Sequence, residues 1–295
     1  MGTTAVQTTA AGKEHSTKKK QWKLTPAKCV IYIVLILWAL TTIFPFLWVI
    51  NSSFKTTYDI QNDSFSLSVN PILDNYINAF ENQNILRSYV NSFIISGSTT
   101  VIVMLLSAML AFAMTRYRFR GQKIIHALIV GSLMFPAFST IIPVFRMMAS
   151  LKLISNPLGV ILPQVAGNLS FATIIMMGYL ESLPLELEEA AFMEGCNVFQ
   201  IFTRVVLPLS KPSLATVAIF TFLWSYNDLF TQFIIIRDRT KYPISALLNE
   251  ITSKYGTDYG LMAASVTLII VPVLVVYILL QKHIVKGLTA GAVKG

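Results

Sequence analysis

Six apolar segments, near residues 29–50, 89–113, 124–147, 157–180, 213–236 and 262–281, leave this 295-residue chain few ways to fold. Each is long enough to cross a hydrocarbon core of about 30 Å as a helix, and in lipid every backbone polar group must be satisfied within the segment. The expected fold is therefore an all-α polytopic membrane protein with six transmembrane helices. Composition agrees, since 54% of the residues are hydrophobic and only 13% charged. The first segment is not read as a cleavable signal, because its apolar run of about 22 residues is followed by no small-residue cleavage site.

Connecting loops alternate between the two sides of the membrane, so the distribution of Lys and Arg sets the orientation. Of the 23 basic residues, 15 fall in the N-terminal tail, in the loop from Arg116 to Lys123, in the stretch from Glu181 to Pro212 and in the C-terminal tail. Both termini are thus expected in the cytoplasm, N-in/C-in. Residues 1–25, rich in Thr, Ala and Lys without apolar periodicity, are expected to form a disordered basic cytoplasmic tail ahead of a membrane domain over 26–295. The net charge of +9 reads as this topological signal, not as a nucleic-acid site, because no basic patch is interleaved with aromatics.

Catalytic chemistry finds little support. Cys29 and Cys196 fall on the cytoplasmic side and are expected reduced and unpaired, and His15, His126 and His283 lack metal-ligand spacing, so no metal site is expected. No Gly-Lys-Ser/Thr run marks a phosphate-binding loop, and no Ser/His/Asp set or paired carboxylates converge within the spans, so the chain is not expected to be an enzyme.

The polar interruption from Glu181 to Pro212 (181–212) reads as two short helices joined by a break. Ser182 is placed to cap the first, Pro184 suits its first turn, and Glu186, Glu188 and Glu189 complement its N-terminal dipole. Leu183, Leu187, Ala190, Ala191 and Glu194 share a face whose middle is reduced to two alanines, which lets another surface come close. Gly195 is expected to supply a left-handed exit, and a second helix from Asn197 to Val206 is expected to stop at Leu207-Pro208.

The order Glu189-Ala190-Ala191, three residues, Gly195, nine residues, Val205, one residue, Leu207-Pro208 resembles the EAA loop of permease subunits of binding-protein-dependent ABC importers. Val205 stands where isoleucine is common and Glu194 where aspartate is common, both conservative departures. Tyr117-Arg118-Phe119-Arg120-Gly121 and the terminal run Gly287 to Gly295 resemble the carbohydrate-uptake, MalG-like branch of that family. The resemblance implies a sugar or oligosaccharide permease whose coupling helix, between spans four and five, docks into a cytoplasmic ATPase through Glu189, Ala190, Ala191, Gly195, Leu207 and Pro208. It implies as partners a second permease completing a heterodimeric pore, two ATPase subunits and an extracytoplasmic solute-binding protein. No cofactor is expected on this chain, ATP and Mg belonging to the ATPase.

One acid, Asp228, lies inside an apolar segment, where an ionised group costs at least ~2.5–3.5 kcal/mol unless it faces protein or a wet cavity. Helical spacing puts Trp224, Asn227, Asp228 and Thr231 on one face with Gln232 beside it, a set suited to stacking on a pyranose and bonding its hydroxyls. Two readings stand side by side: a lining of the solute path, or interhelical polar glue. In the usual motif of the family tryptophan is followed directly by Asn and an acid, whereas Ser225 and Tyr226 intervene here. A proton-coupled secondary transporter using Asp228 is the alternative function. Pro45, Pro136, Pro143, Pro163 and Pro272 are expected to break their spans, and the centre of the fourth, Pro163-Gln164 to Ser170, looks broken and polar.

Overall fold

The computed structural model describes residues 26–247 and 258–292, except the side chains at 82, 83, 137, 276 and 279–292. The basic tail expected over 1–25 lies outside the described residues. Among the described residues every regular element is helical. The chain divides after Leu47 into two compact units. Up to that point α1 (Pro26–Ser52) is apolar on all sides and its large side chains are exposed, which is the pattern of a helix that meets lipid.

In the second unit the segment after α1 is tied down rather than loose. Trp48 Nε1 donates to Ser64 O at 2.8 Å and Asn51 Nδ2 to Ser66 O at 2.8 Å. The buried Lys55 ammonium donates to Asp63 O and Ser66 Oγ at 3.0 and 2.9 Å. Two short helices follow, α2 (Thr57–Asn62) and α3 (Asp74–Gln83), and Asn75 Nδ2 donates to Ser53 O and Lys55 O, both at 2.9 Å.

The core is built on α4 (Ile85–Arg116), whose buried face carries Ser88, Ser92, Ser96, Thr99, Thr100 and Ser107 among Val103, Ala108 and Ala111. Small residues let neighbouring helix backbones approach closely in a bilayer. Against it pack α7 (Pro157–Leu180) and a later helix, α11 (Lys211–Asn227). The fourth expected span is thus one unbroken helix: Pro163 and the polar centre sit inside α7, where Gln164 and Asn168 find partners. Pro45 inside α1 and Pro272 inside α13 (Tyr259–Ala292) are likewise accommodated, as prolines in membrane helices often are.

The third expected span does break. It comes as α5 (Gln122–Ser132), a 3-10 turn (Ala137–Thr140) and α6 (Ile141–Ser150), because Pro136 has no N–H to continue the ladder and takes an extended ψ of 126°. Pro143 causes no break, falling in the first turn of α6. The fifth breaks at Asp228, between α11 and α12 (Leu229–Ile235). Among the described residues, single helices long and apolar enough to cross a bilayer are α1, α4 and α7, and Val198–Leu209 with Lys211–Asn227, bent by 75°, forms a fourth candidate.

Candidate functional site

The segment after α7 begins with α8 (Glu186–Met193), one turn later than the sequence suggests. Ser182 does not cap it: its hydroxyl donates back to Tyr179 O at 2.6 Å and closes the end of α7, while Pro184 stays in the connecting turn. The exit is as expected. Gly195 has φ +86°, its N–H donates to Phe192 O at 2.9 Å and that of Cys196 to Ala191 O at 3.1 Å, the paired bonds of a Schellman closure. A capping box then starts α9 (Val198–Ile201), with Asn197 Oδ1 accepting from Gln200 N and Gln200 Oε1 accepting from Asn197 N.

Leu207-Pro208 does not end this second helix. A π turn over Phe202–Val206 precedes α10 (Leu207–Leu209), and the chain breaks only at Ser210. In the wider π turn Leu207 N–H reaches back to Phe202 O, so the ladder is already offset where the proline ring enters. Leu183, Ala191, Cys196, Phe202 and Leu207 pack on the core, while Glu189, Ala190, Gly195 and Pro208 are exposed. Phe192 and Met193 on α8 and Phe199 on α9 are 66%, 85% and 72% exposed, an apolar surface beside three carboxylates.

Sequence reasoning missed how this segment is held. Arg116, the last residue of α4, donates from Nε to Glu188 Oε1 at 2.7 Å and from Nη2 to Leu180 O and Leu183 O at 2.9 and 3.4 Å. Both side chains of the ion pair are nearly buried. The partners are 72 positions apart, so no local pattern announces them.

The second candidate region is a cavity of about 520 Å³ between α6, α7, α11 and α12, lined by Gln164, Asn168, Trp224, Asn227, Asp228 and Thr231 among others. All four residues proposed for a solute path therefore meet there, although not on one helical face, since the helix stops at Asn227. Asp228 is the cause: its Oδ1 accepts from Thr231 N at 3.1 Å and starts α12. Its Oδ2 accepts from Gln164 Nε2 at 2.9 Å.

Gln164 is the hub that composition alone does not single out. Its Oε1 accepts from Ser225 Oγ at 2.6 Å and Thr99 Oγ1 at 3.4 Å, and Ser225 Oγ lies 3.1 Å from Ser96 Oγ. Gln232 Nε2 donates to Ser225 O at 2.6 Å, and Ser245 Oγ donates to Gln232 Oε1. Trp224 is half exposed beside Phe171 at 4.8 Å between ring centroids, leaving ring surface free to stack. The arrangement serves both readings: Asp228 and Gln164 lock α11, α12 and α7 together, while Trp224, Asn227 and Asn168 border open space. Among the described residues no cluster of His, Cys, Asp or Glu is arranged to hold a metal ion.

Residues 103–290 match the family described as binding-protein-dependent transport system inner membrane component. The chain is 34% identical over 264 residues to the diacetylchitobiose uptake system permease protein NgcG of Streptomyces coelicolor, covering 89% of this chain and 87% of that protein. It is 34% identical over 268 residues to the galactooligosaccharides transport system permease protein GanQ of Bacillus subtilis, covering 90% and 94%. Its fold is similar to a chain of a bacterial ABC transporter involved in the import of alginate, with a TM-score of 0.75 at 26% identity, covering 88% and 98%.

Proposed function

Because the chain belongs to the family of binding-protein-dependent transport system inner membrane components, a family of multi-pass bacterial inner-membrane proteins, we propose that it forms half of a heterodimeric pore through which an ATP-driven importer passes a sugar or oligosaccharide. Its relatives are sugar and oligosaccharide permeases, which makes it a transport component rather than an enzyme. The proton-coupled alternative gains no support from them.

In this reading the chain crosses the membrane six times with both termini in the cytoplasm. The segment α8 to α10 faces an ATPase that binds ATP and Mg, and a solute-binding protein delivers from the other side. The observation that carries it is the exposed apolar face of Phe192 and Met193 on a short helix braced at both ends, by the Arg116 clamp and by the Gly195 closure. An exposed apolar surface on a stiff element is what a partner protein needs to push against. Glu189, Ala190, Ala191, Gly195, Leu207 and Pro208 are the proposed coupling residues, and Trp224, Asn227, Asp228 and Thr231 with Asn168 border the proposed solute path.

The test is mild solubilisation from the native membrane through a C-terminal tag, followed by reconstitution. A second permease and an ATPase should co-purify, and vesicles should accumulate diacetylchitobiose or galactooligosaccharides when ATP and the binding protein are supplied. A lone homodimer taking up sugar on a proton gradient would sink the proposal.

A further inference from the structure

The two candidate regions lie at different heights of the bundle, yet one helix touches both. At one end of α4, Arg116 grips Glu188 of α8 and the carbonyls of Leu180 and Leu183. Twenty residues earlier on the same unbroken helix, Ser96 and Thr99 bond Ser225 and Gln164, and Gln164 bonds Asp228 at the cavity. At 1.5 Å per residue the two contact points are roughly 30 Å apart. Bending a helix packed along two neighbours would cost its buried contacts, so a push at one end moves the other.

We propose that Arg116 is a positioning residue of the transport cycle, and that its clamp on Glu188 carries movement of α8 through α4 to the Gln164–Asp228 network at the cavity. The proposal rests on the importer reading. It assigns the stroke to α4, whereas sequence order alone points to α7 and α11, the two helices covalently joined to the segment. The chemistry of the clamp is specific. A guanidinium presents its Nε to the acid and its Nη2 to two carbonyls at once, in a planar fork; a lysine ammonium keeps the charge but not that geometry. The side chains of Arg116 and Glu188 are 7% and 14% exposed, so little water is at hand to replace a lost partner. Beside the pair, Tyr117, Phe192 and Met193 line an open groove, which puts the clamp directly beneath the surface a partner would press.

The experiment uses the complex purified with its native ATPase, Cys29 and Cys196 replaced by serine, and spin labels at Leu86 and Leu158, both exposed near the far ends of α4 and α7. The probe is ATP with vanadate, which traps the closed ATPase without any need to know the solute. Trapping should shift the label distance in the parent complex. Arg116→Gln, Arg116→Lys and Glu188→Gln should each lower the shifted fraction at least about fivefold, the size of an ordinary coupling term. Arg116→Gln combined with Glu188→Gln should lower it no further than either alone, because both remove one link. Retention of the full shift in Arg116→Gln, or strictly additive losses in the double variant, would overturn the clamp while leaving the importer reading intact. Absence of any ATPase in the purified complex would overturn the importer reading and the clamp with it.

Discussion

Replacing Gln164 by leucine tests whether the cavity network holds the bundle together. Gln164 is 4% exposed and its amide serves Ser225, Thr99 and Asp228. Leucine fills similar volume, so the cost is mainly electrostatic. The Ser225 hydroxyl still has Ser96 within 3.1 Å, whereas Asp228 Oδ2 loses its 2.9 Å donor. A hydrogen bond to a charged group contributes about 1.5–3 kcal/mol, and Asp228, only partly buried at the cavity edge, puts the cost toward the lower part of that range. A loss of about 1.5–2 kcal/mol corresponds to a fall in melting temperature of roughly 3–8 °C for a chain of this size class. The assay is thermal unfolding of the purified complex in detergent, followed by intrinsic fluorescence. In the Asp228→Asn background the same change should cost about 1 kcal/mol less, since a neutral amide is cheaper to leave unpaired. A Gln164→Leu complex that melts with the parent, or identical costs in both backgrounds, would refute the reasoning.

At Gly195 a Cβ would meet nothing within 4 Å, so substitution costs only the strain of a side chain at φ +86°. That is about 1–2 kcal/mol for alanine, less for asparagine and more for β-branched valine, and ATP-driven uptake should fall in the order Asn, Ala, Val; full uptake with valine would exclude a role for this closure. Gly159→Ala behaves differently, because its Cβ would lie 2.2 Å from Leu153 O and 3.1 Å from Ile235 Cγ2. A backbone atom cannot step aside, so the yield of folded complex on size exclusion should drop sharply. Asp228→Asn alone distinguishes the two readings of the cavity: a fall in apparent affinity for sugar at unchanged melting temperature favours the path, and the reverse favours glue.

Much of this architecture is written in local pattern. The apolar segments, the left-handed exit at Gly195 and the start of a second helix at Asn197 follow from composition and short-range geometry. What escaped is non-local. Arg116 and Glu188 find each other across 72 residues, and Gln164 looks like a flaw in an apolar helix until Thr99, Ser225 and Asp228 surround it. The opposite error has the same root. Pro163 and Pro136 look equivalent in sequence, but α7 is packed along α4 and keeps its helix, while the residues around Pro136 are largely exposed and the helix gives way. Asp228 was legible as an anomaly, not as a helix start, because spacing arguments assume the helix continues.

Many polar side chains of the bundle fall into two groups, bonded within one helix or between helices. Thr100, Ser107 and Thr115 of α4, Thr173 of α7, Thr216 of α11, and Ser265 and Thr267 of α13 donate to carbonyls three or four residues back in their own helices. These particular hydroxyls are satisfied within a single helix, before any neighbour packs against it. Ser96, Thr99, Gln164, Ser225 and Gln232 instead reach across helices or across the break at Asp228, so their bonds close only when α4, α7, α11 and α12 arrive in register. The register of α4, α7, α11 and α12 is thereby tied to this cluster, because a misregistered helix would leave several buried polar groups without partners, each at a cost of roughly 1–3 kcal/mol.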